Sequence, residues 1–187
     1  MSMPSVLVLC NQPVLPKDHP EAESEHSVVE IADKIAAILR AASFHVSDLK
    51  LGADPTVLWQ ELKERRPDVV FNLYEGLLNH AETESYVAGL LDWAGVPHTG
   101  SPFTTLTLAR AKHLTKYLLR GARLPSADFL VVDRLPVPKC RLKYPVFVKP
   151  AQQDASVGVD QQSVCENQQQ LESRVQYILA TYDSSCC

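Results

Sequence analysis

Residues Tyr144 to Val159 read Y-P-V-F-V-K-P-A-Q-Q-D-A-S-V-G-V. A β-branched and aromatic run, Val146 to Val148, leads straight into Lys149 and Pro150, a polar stretch follows, and a second apolar run starts at Val157. The pattern predicts a strand, a loop and a second strand. A lysine at the end of a buried strand loses hydration unless an anion neutralises it. The loop beside it offers unpaired backbone N–H groups and the Ser156 hydroxyl, which together suit a polyphosphate. An edge hairpin with a solvated lysine has the same few residues, so the surroundings must decide.

Downstream, Leu171, Val175, Ile178 and Leu179 recur on one face of a predicted helix over Asn167 to Tyr182, which packs on the small sheet. Upstream, Ala127 to Val132 reads as a strand, and the proline-rich, basic segment Asp133 to Lys143 connects it to the opening stretch. Before that, Leu106, Leu108, Leu114, Leu118 and Leu119 mark helical turns over Thr104 to Arg120, with Lys112 and Lys116 between them and Gly121 as a C-cap.

The N-terminal part has a different rhythm. Val6 to Leu9 is a continuous apolar run, the pattern of a strand buried on both faces. Asn11 to Glu25 reads as a loop at that strand's carboxyl end, where ligands bind in open α/β sheets. A helix carrying Val28, Ile31, Ile35, Ile38 and Leu39 follows, then a strand over Phe44 to Leu49 and a helix opened by Asp54-Pro55 and stopped at Pro67. Asp68 to Leu73 is a third strand, about Glu84 to Trp93 a helix ended by Gly95, and Val96 to Ser101 a short fourth strand. Such alternation predicts an α/β domain over residues 1–102, an open, mostly parallel sheet with helices on both faces. A smaller α+β subdomain over 103–187 is expected after it.

The formal charge is −4 and no contiguous basic run exists, which argues against nucleic acid or an anionic membrane as partner. The N-terminal apolar run is too short for a signal peptide or a span, so a soluble, cytoplasmic protein is expected. Five scattered cysteines without a C-x-x-C pair indicate neither a disulfide framework nor zinc, and six histidines show no metal-ligand spacing. No G-x-S-x-G follows a strand.

Four segments then stand together in order: V-V-F-N-L-Y-E-G (69–76), G-V-P-H-T-G-S (95–101), A-R-A-K-H-L-T-K-Y-L-L (109–119) and Y-P-V-F-V-K-P-x5-S-V-G-V (144–159). In order and spacing the chain resembles the D-alanine:D-alanine ligase branch of the ATP-grasp superfamily over nearly its whole length. The resemblance implies a pre-ATP-grasp domain followed by the first ATP-grasp subdomain. It implies ATP with Mg2+, a small amino acid substrate, and phosphate-binding lysines at Lys112 and Lys149. Ser156, Val157 and Gly158 match the loop that closes over the γ-phosphate, with Ser156 in a catalytic role as well; Gly158 lets backbone approach.

Departures from the family mark the substrate side. Asp154, Ala155 and Ser156 stand where a glycine and paired serines are usual, and Asn11, Gln12 and Pro13 follow the first strand in place of a glycine pair. Glu23 or Glu25 falls near the glutamate that receives the substrate's ammonium, Glu25 being the catalytic candidate. Tyr74 replaces the family histidine as catalytic and substrate-binding candidate, and Glu75 beside it is a further substrate contact. D-alanine is the default acceptor by resemblance, another amino acid a rival, and a non-catalytic structural or nucleotide-binding relative the alternative. The resemblance allows a homodimer. It places the adenine strand and the acidic metal ligands beyond the matched segments, so the ATP-grasp fold is expected to be incomplete at Cys187, the chain alone inactive, and its own metal ligands none.

Overall fold

Val6 to Cys10 are five consecutive buried residues, and the first part of the structure is built on them. The coordinates are a computed structural model describing residues 3–14, 22–77, 80–152 and 158–182, without the side chains of residues 22–25. They divide into two compact units, Met1–Leu106 and Thr107–Cys187.

In the first unit, strand β1 (Ser5–Asn11) is central in a parallel three-stranded sheet of order β2-β1-β3, with β2 His45–Leu51 and β3 Val69–Leu73. Val6 lies opposite Val46 and Val69, and Cys10 opposite Lys50 and Leu73. Parallel neighbours need crossovers, supplied by α1 (Ala22–Ala41) and α2 (Thr56–Arg65); α3 (Thr83–Ala94) follows β3. Side chains alternate across β1. Leu7 and Leu9 pack with Leu58 and Leu62 of α2 and Val87 and Leu91 of α3. Val6, Val8 and Cys10 pack with Val28, Ala32 and Ala36 of α1. Helices therefore cover both faces of the sheet, and each fully buried leucine contributes about 2–3 kcal/mol of transfer free energy.

The element ends have local causes. Asp54 Oδ1 accepts the Thr56 N–H at 2.9 Å and its hydroxyl at 2.7 Å, which starts α2. Gly95, at φ +66°, closes α3 with its N–H on the Asp92 and Leu91 carbonyls. Two expectations change here. The helix α1 begins at Ala22, inside the predicted loop. Val96 to Ser101 gives a single bridge, His98 to Val70, because Pro97 has no N–H and Gly100 turns the chain at φ +94°.

The boundary between the units falls within α4 (Phe103–Arg110), and α5 (Lys112–Gly121) follows. The helix predicted as continuous breaks at Ala111 (φ −80°, ψ 74°), where the Lys112 N–H turns to the Ala151 carbonyl at 3.0 Å. A two-stranded antiparallel sheet pairs β4 (Val146–Phe147) with β5 (Val164–Cys165). A 3-10 turn, Gln161–Ser163, precedes β5, and α6 (Gln168–Tyr182) closes the unit. Its core gathers Val132, Val148, Cys165, Leu171, Val175 and Ile178.

Here too the sequence reading is corrected. Ala127–Val132 forms a single bridge at Val132 and no strand ladder; the Ala127 carbonyl accepts the Lys116 ammonium, and Val132 drops into the core. Val157, where the second strand was predicted to start, lies outside the described residues; after it, Gly158 turns at φ +71° and the strand partner comes later, at β5.

Candidate functional site

From Val146 to Pro150 burial alternates. Val148 and Pro150 are buried, while Phe147 is 51% exposed and Lys149 half-buried. That is the period of an extended chain with one face on the core, and it puts Phe147 and Lys149 on the open face together. The Val148 N–H donates to the Ser163 carbonyl at 2.7 Å, so the strand end is tied down one residue before the lysine.

On α5, Lys112 and Lys116 are one turn apart and share a face. Lys116 donates to the Ala127 carbonyl at 3.0 Å and lies 5.1 Å from the Phe129 ring centroid. A cavity of about 540 Å³ opens between these elements, with Lys116, Arg141, Lys143 and Lys149 as its cations and Phe129 and Phe147 as its rings. Val148, Leu171 and Val175 form its floor. Lys112 does not line this cavity; its backbone N–H on Ala151 ties the start of α5 to the residue after Pro150. An apolar cleft ringed by ammonium and guanidinium groups suits a flat base joined to a polyanion.

The remaining expected residues divide by position. Ser156 and Val157 lie outside the described residues. Gly158 is half-buried, and a Cβ there would meet Pro150 Cγ at 2.7 Å and Tyr182 Cε2 at 2.9 Å, so no other residue fits without movement. Glu23 and Glu25 fall in the first turns of α1, their side chains outside the description.

Tyr74 is 4% exposed and packs in the core with Leu7 and Val87; its hydroxyl reaches Thr83 Oγ1 at 3.4 Å, and burial pushes the phenol pKa up. Glu75 is exposed. Asn11, at the carboxyl end of β1, accepts the Glu75 N–H at 2.8 Å and donates to the Gly76 carbonyl at 2.6 Å. This clamp fixes the loop after β3 at the sheet's carboxyl edge. Gly76 turns there at φ +90°, where a Cβ would stand 2.7 Å from the Ala81 carbonyl oxygen.

Sequence reading missed Arg141, Lys143 and Phe147 as cavity residues, although a signal existed. Residues 110–149 hold ten Lys and Arg against two Asp, spaced too widely to form a run. Across the chain, residues 1–106 carry fifteen carboxylates against seven Lys and Arg, and residues 107–187 seven against eleven.

Residues 118–186 match the family model described as D-ala D-ala ligase C-terminus. The D-alanine–D-alanine ligase of Ruegeria pomeroyi is 36% identical over 141 residues, covering 75% of this chain and 44% of that protein. That of Rhizobium meliloti is 34% identical over 125 residues, 66% of this chain and 39% of that protein. Among solved structures, the D-alanine–D-alanine ligase of Bacillus anthracis complexed with ATP superposes with a TM-score of 0.73 at 16% identity, covering 98% of this chain and 57% of that one. The chain is a D-alanine–D-alanine ligase-like ATP-grasp protein. It spans less than half the length of these curated relatives. At this identity the structural likeness establishes the ATP-grasp ligase fold for the described units.

Among the described residues of this ligase-like protein, no three His, Cys, Asp or Glu side chains come together. The cavity is lined by four cations and a single carboxylate, Asp128, too few oxygen ligands for magnesium, so its residues do not fit that ion. No described helix is long and apolar enough to cross a membrane.

Proposed function

We propose that this chain supplies the phosphate-binding wall of an ATP-dependent carboxylate–amine ligase resembling D-alanine–D-alanine ligase. Residues 1–102 are the domain preceding the ATP-grasp region and 103–187 its first subdomain. The observation that carries the reading is Lys149, on the open face of its strand beside Phe147, at a largely apolar cavity that Lys116 also lines.

In this reading the base lies against Phe147 and the phosphates reach Lys149 and Lys112. Gly158, with Ser156 and Val157, provides backbone and hydroxyl donors to the γ-phosphate. A substrate carboxylate oxygen attacks the γ-phosphorus and ADP leaves, giving an acyl phosphate. An amine then attacks the acyl carbon, phosphate leaves, and a peptide-type bond has formed. The ammonium groups cancel charge on the β- and γ-phosphates, which favours binding and transfer alike.

On the substrate side, Glu75 stands at the carboxyl edge of the sheet, where open α/β sheets take their ligands. Glu23 or Glu25 is the receiver of the substrate ammonium, and Tyr74 the other catalytic and substrate-binding candidate. D-alanine is the acceptor by likeness to the relatives. A cytoplasmic site of action follows from the use of ATP.

The test is affinity labelling with an adenosine polyphosphate carrying a pyridoxal group, which forms an imine with lysines at the phosphate end. After borohydride reduction, peptide mapping should find Lys149 and Lys112 labelled, and excess ATP with magnesium should protect both. Labelling spread over exposed lysines without protection would refute the assignment.

A further inference from the structure

Arg174 is 4% exposed, although its element, α6, faces solvent along most of its length. Its guanidinium donates to Asp160 Oδ2 at 3.0 Å, to the Gly158 carbonyl at 2.8 Å and to Ser163 Oγ at 2.9 Å. Its Cζ lies 5.0 Å from the Tyr177 ring centroid, and Nε has no hydrogen-bond partner among the described residues. A buried arginine with an unpaired N–H is a costly way to fill a core position next to Val175. An aliphatic side chain would pack there without that penalty. The position is explained by what the guanidinium holds.

It holds both sides of Lys149. Ser163, fully buried, accepts the Val148 N–H through its carbonyl, so one arm runs from Arg174 through Ser163 to the residue before the lysine. Gly158 packs against Pro150 so closely that a Cβ would overlap the ring, so the other arm runs from Arg174 through Gly158 to the residue after it. Asp160 joins the arms: its carboxylate takes the guanidinium and the Gln162 N–H at 2.7 Å, and its N–H donates to Ser163 Oγ at 3.1 Å.

We infer that Arg174 is a positioning residue for the nucleotide, clamping the backbone on either side of Lys149 so that its ammonium is held toward the cavity. The inference rests on the nucleotide reading of that cavity. A planar fork with fixed donor directions does this, and a lysine, with a single mobile ammonium, does not.

The test compares the 187-residue chain with Arg174→Met, Arg174→Lys, Ile178→Ala and Lys149→Met. Affinity for ATP with magnesium is measured by titration calorimetry below each variant's melting temperature, and exchange of the Val148 amide is followed by NMR. Ile178→Ala controls for loss of stability, since Ile178 is 0% exposed on the same helix and lies outside both the clamp and the cavity lining. Arg174→Met and Arg174→Lys should weaken nucleotide binding by about tenfold and speed Val148 exchange, while Ile178→Ala leaves affinity within about twofold. Should Arg174→Met fail to fold, Arg174→Lys carries the comparison. Wild-type affinity in the Arg174 variants with binding lost in Lys149→Met would overturn the inference alone. Wild-type affinity in Lys149→Met would overturn the nucleotide reading and the inference with it.

Discussion

Gly158 shows how much a single residue decides in this chain. Its backbone sits at φ +71°, and the space a Cβ needs is taken by Pro150 and Tyr182. Gly158→Ala should therefore destabilise the second unit by about 1–3 kcal/mol, read as a lowered midpoint in urea. An unchanged midpoint would mean that Pro150 and Tyr182 yield freely. Asp68 is a second such residue. It accepts the Ser5 N–H at 2.7 Å and the Ser5 hydroxyl at 2.8 Å, joining the starts of β1 and β3, and these bonds hold its carboxyl below the usual carboxylate range. Because the folded-state pKa is lowered, the stabilisation is present at neutral pH and lost as pH falls through that lowered value. Asp68→Asn should flatten part of the fall in melting temperature below about pH 5, an effect kept small by solvent exposure. The sequence reading gave Gly158 close backbone approach but placed it in a strand, so its turn was not legible. Nor was the Ser5–Asp68 clasp, because its partners are far apart along the chain and neither belongs to a motif.

At the level of elements, legibility followed burial. The strand β1 was recognisable because five consecutive residues are buried, which leaves no polar interruption in the sequence. The same continuity makes it the keystone: Leu7→Ala should cost about 2–5 kcal/mol in the first unit. Ile38→Ala, at a site 67% exposed on α1, should stay within about 0.5 kcal/mol in the same denaturant titration. Equal effects would contradict the layer assignment. Where elements are short, the sequence misled. Ala127–Val132 has strand composition, yet its backbone acceptor serves Lys116 rather than a ladder. Thr104–Arg120 has one helical rhythm, yet Ala111 breaks it so that the Lys112 N–H reaches Ala151. Both departures go with contacts between segments far apart along the chain or outside one element, which local propensity does not encode. Arg174 was hidden for a related reason, since an arginine on an amphipathic helix reads as a solvated surface charge until its partners are placed.

For the molecule as a whole, charge and architecture divide in the same place. The unit around β1 carries the carboxylate excess and the unit around Lys149 the cation excess, a division masked by the formal total of −4. A cation-rich cavity draws a polyphosphate by long-range attraction before any specific contact forms. On the proposed function this wall would meet a nucleotide from one side, so its own affinity should be modest, with a dissociation constant on the order of 0.1 mM. The most direct measurement is calorimetric titration of ATP with magnesium into the 187-residue chain and its Lys149→Met variant. Saturable binding in the parent chain, weakened at least about tenfold by loss of the ammonium, is the predicted result. Binding of equal strength in both proteins would contradict the assignment of Lys149 to the phosphates.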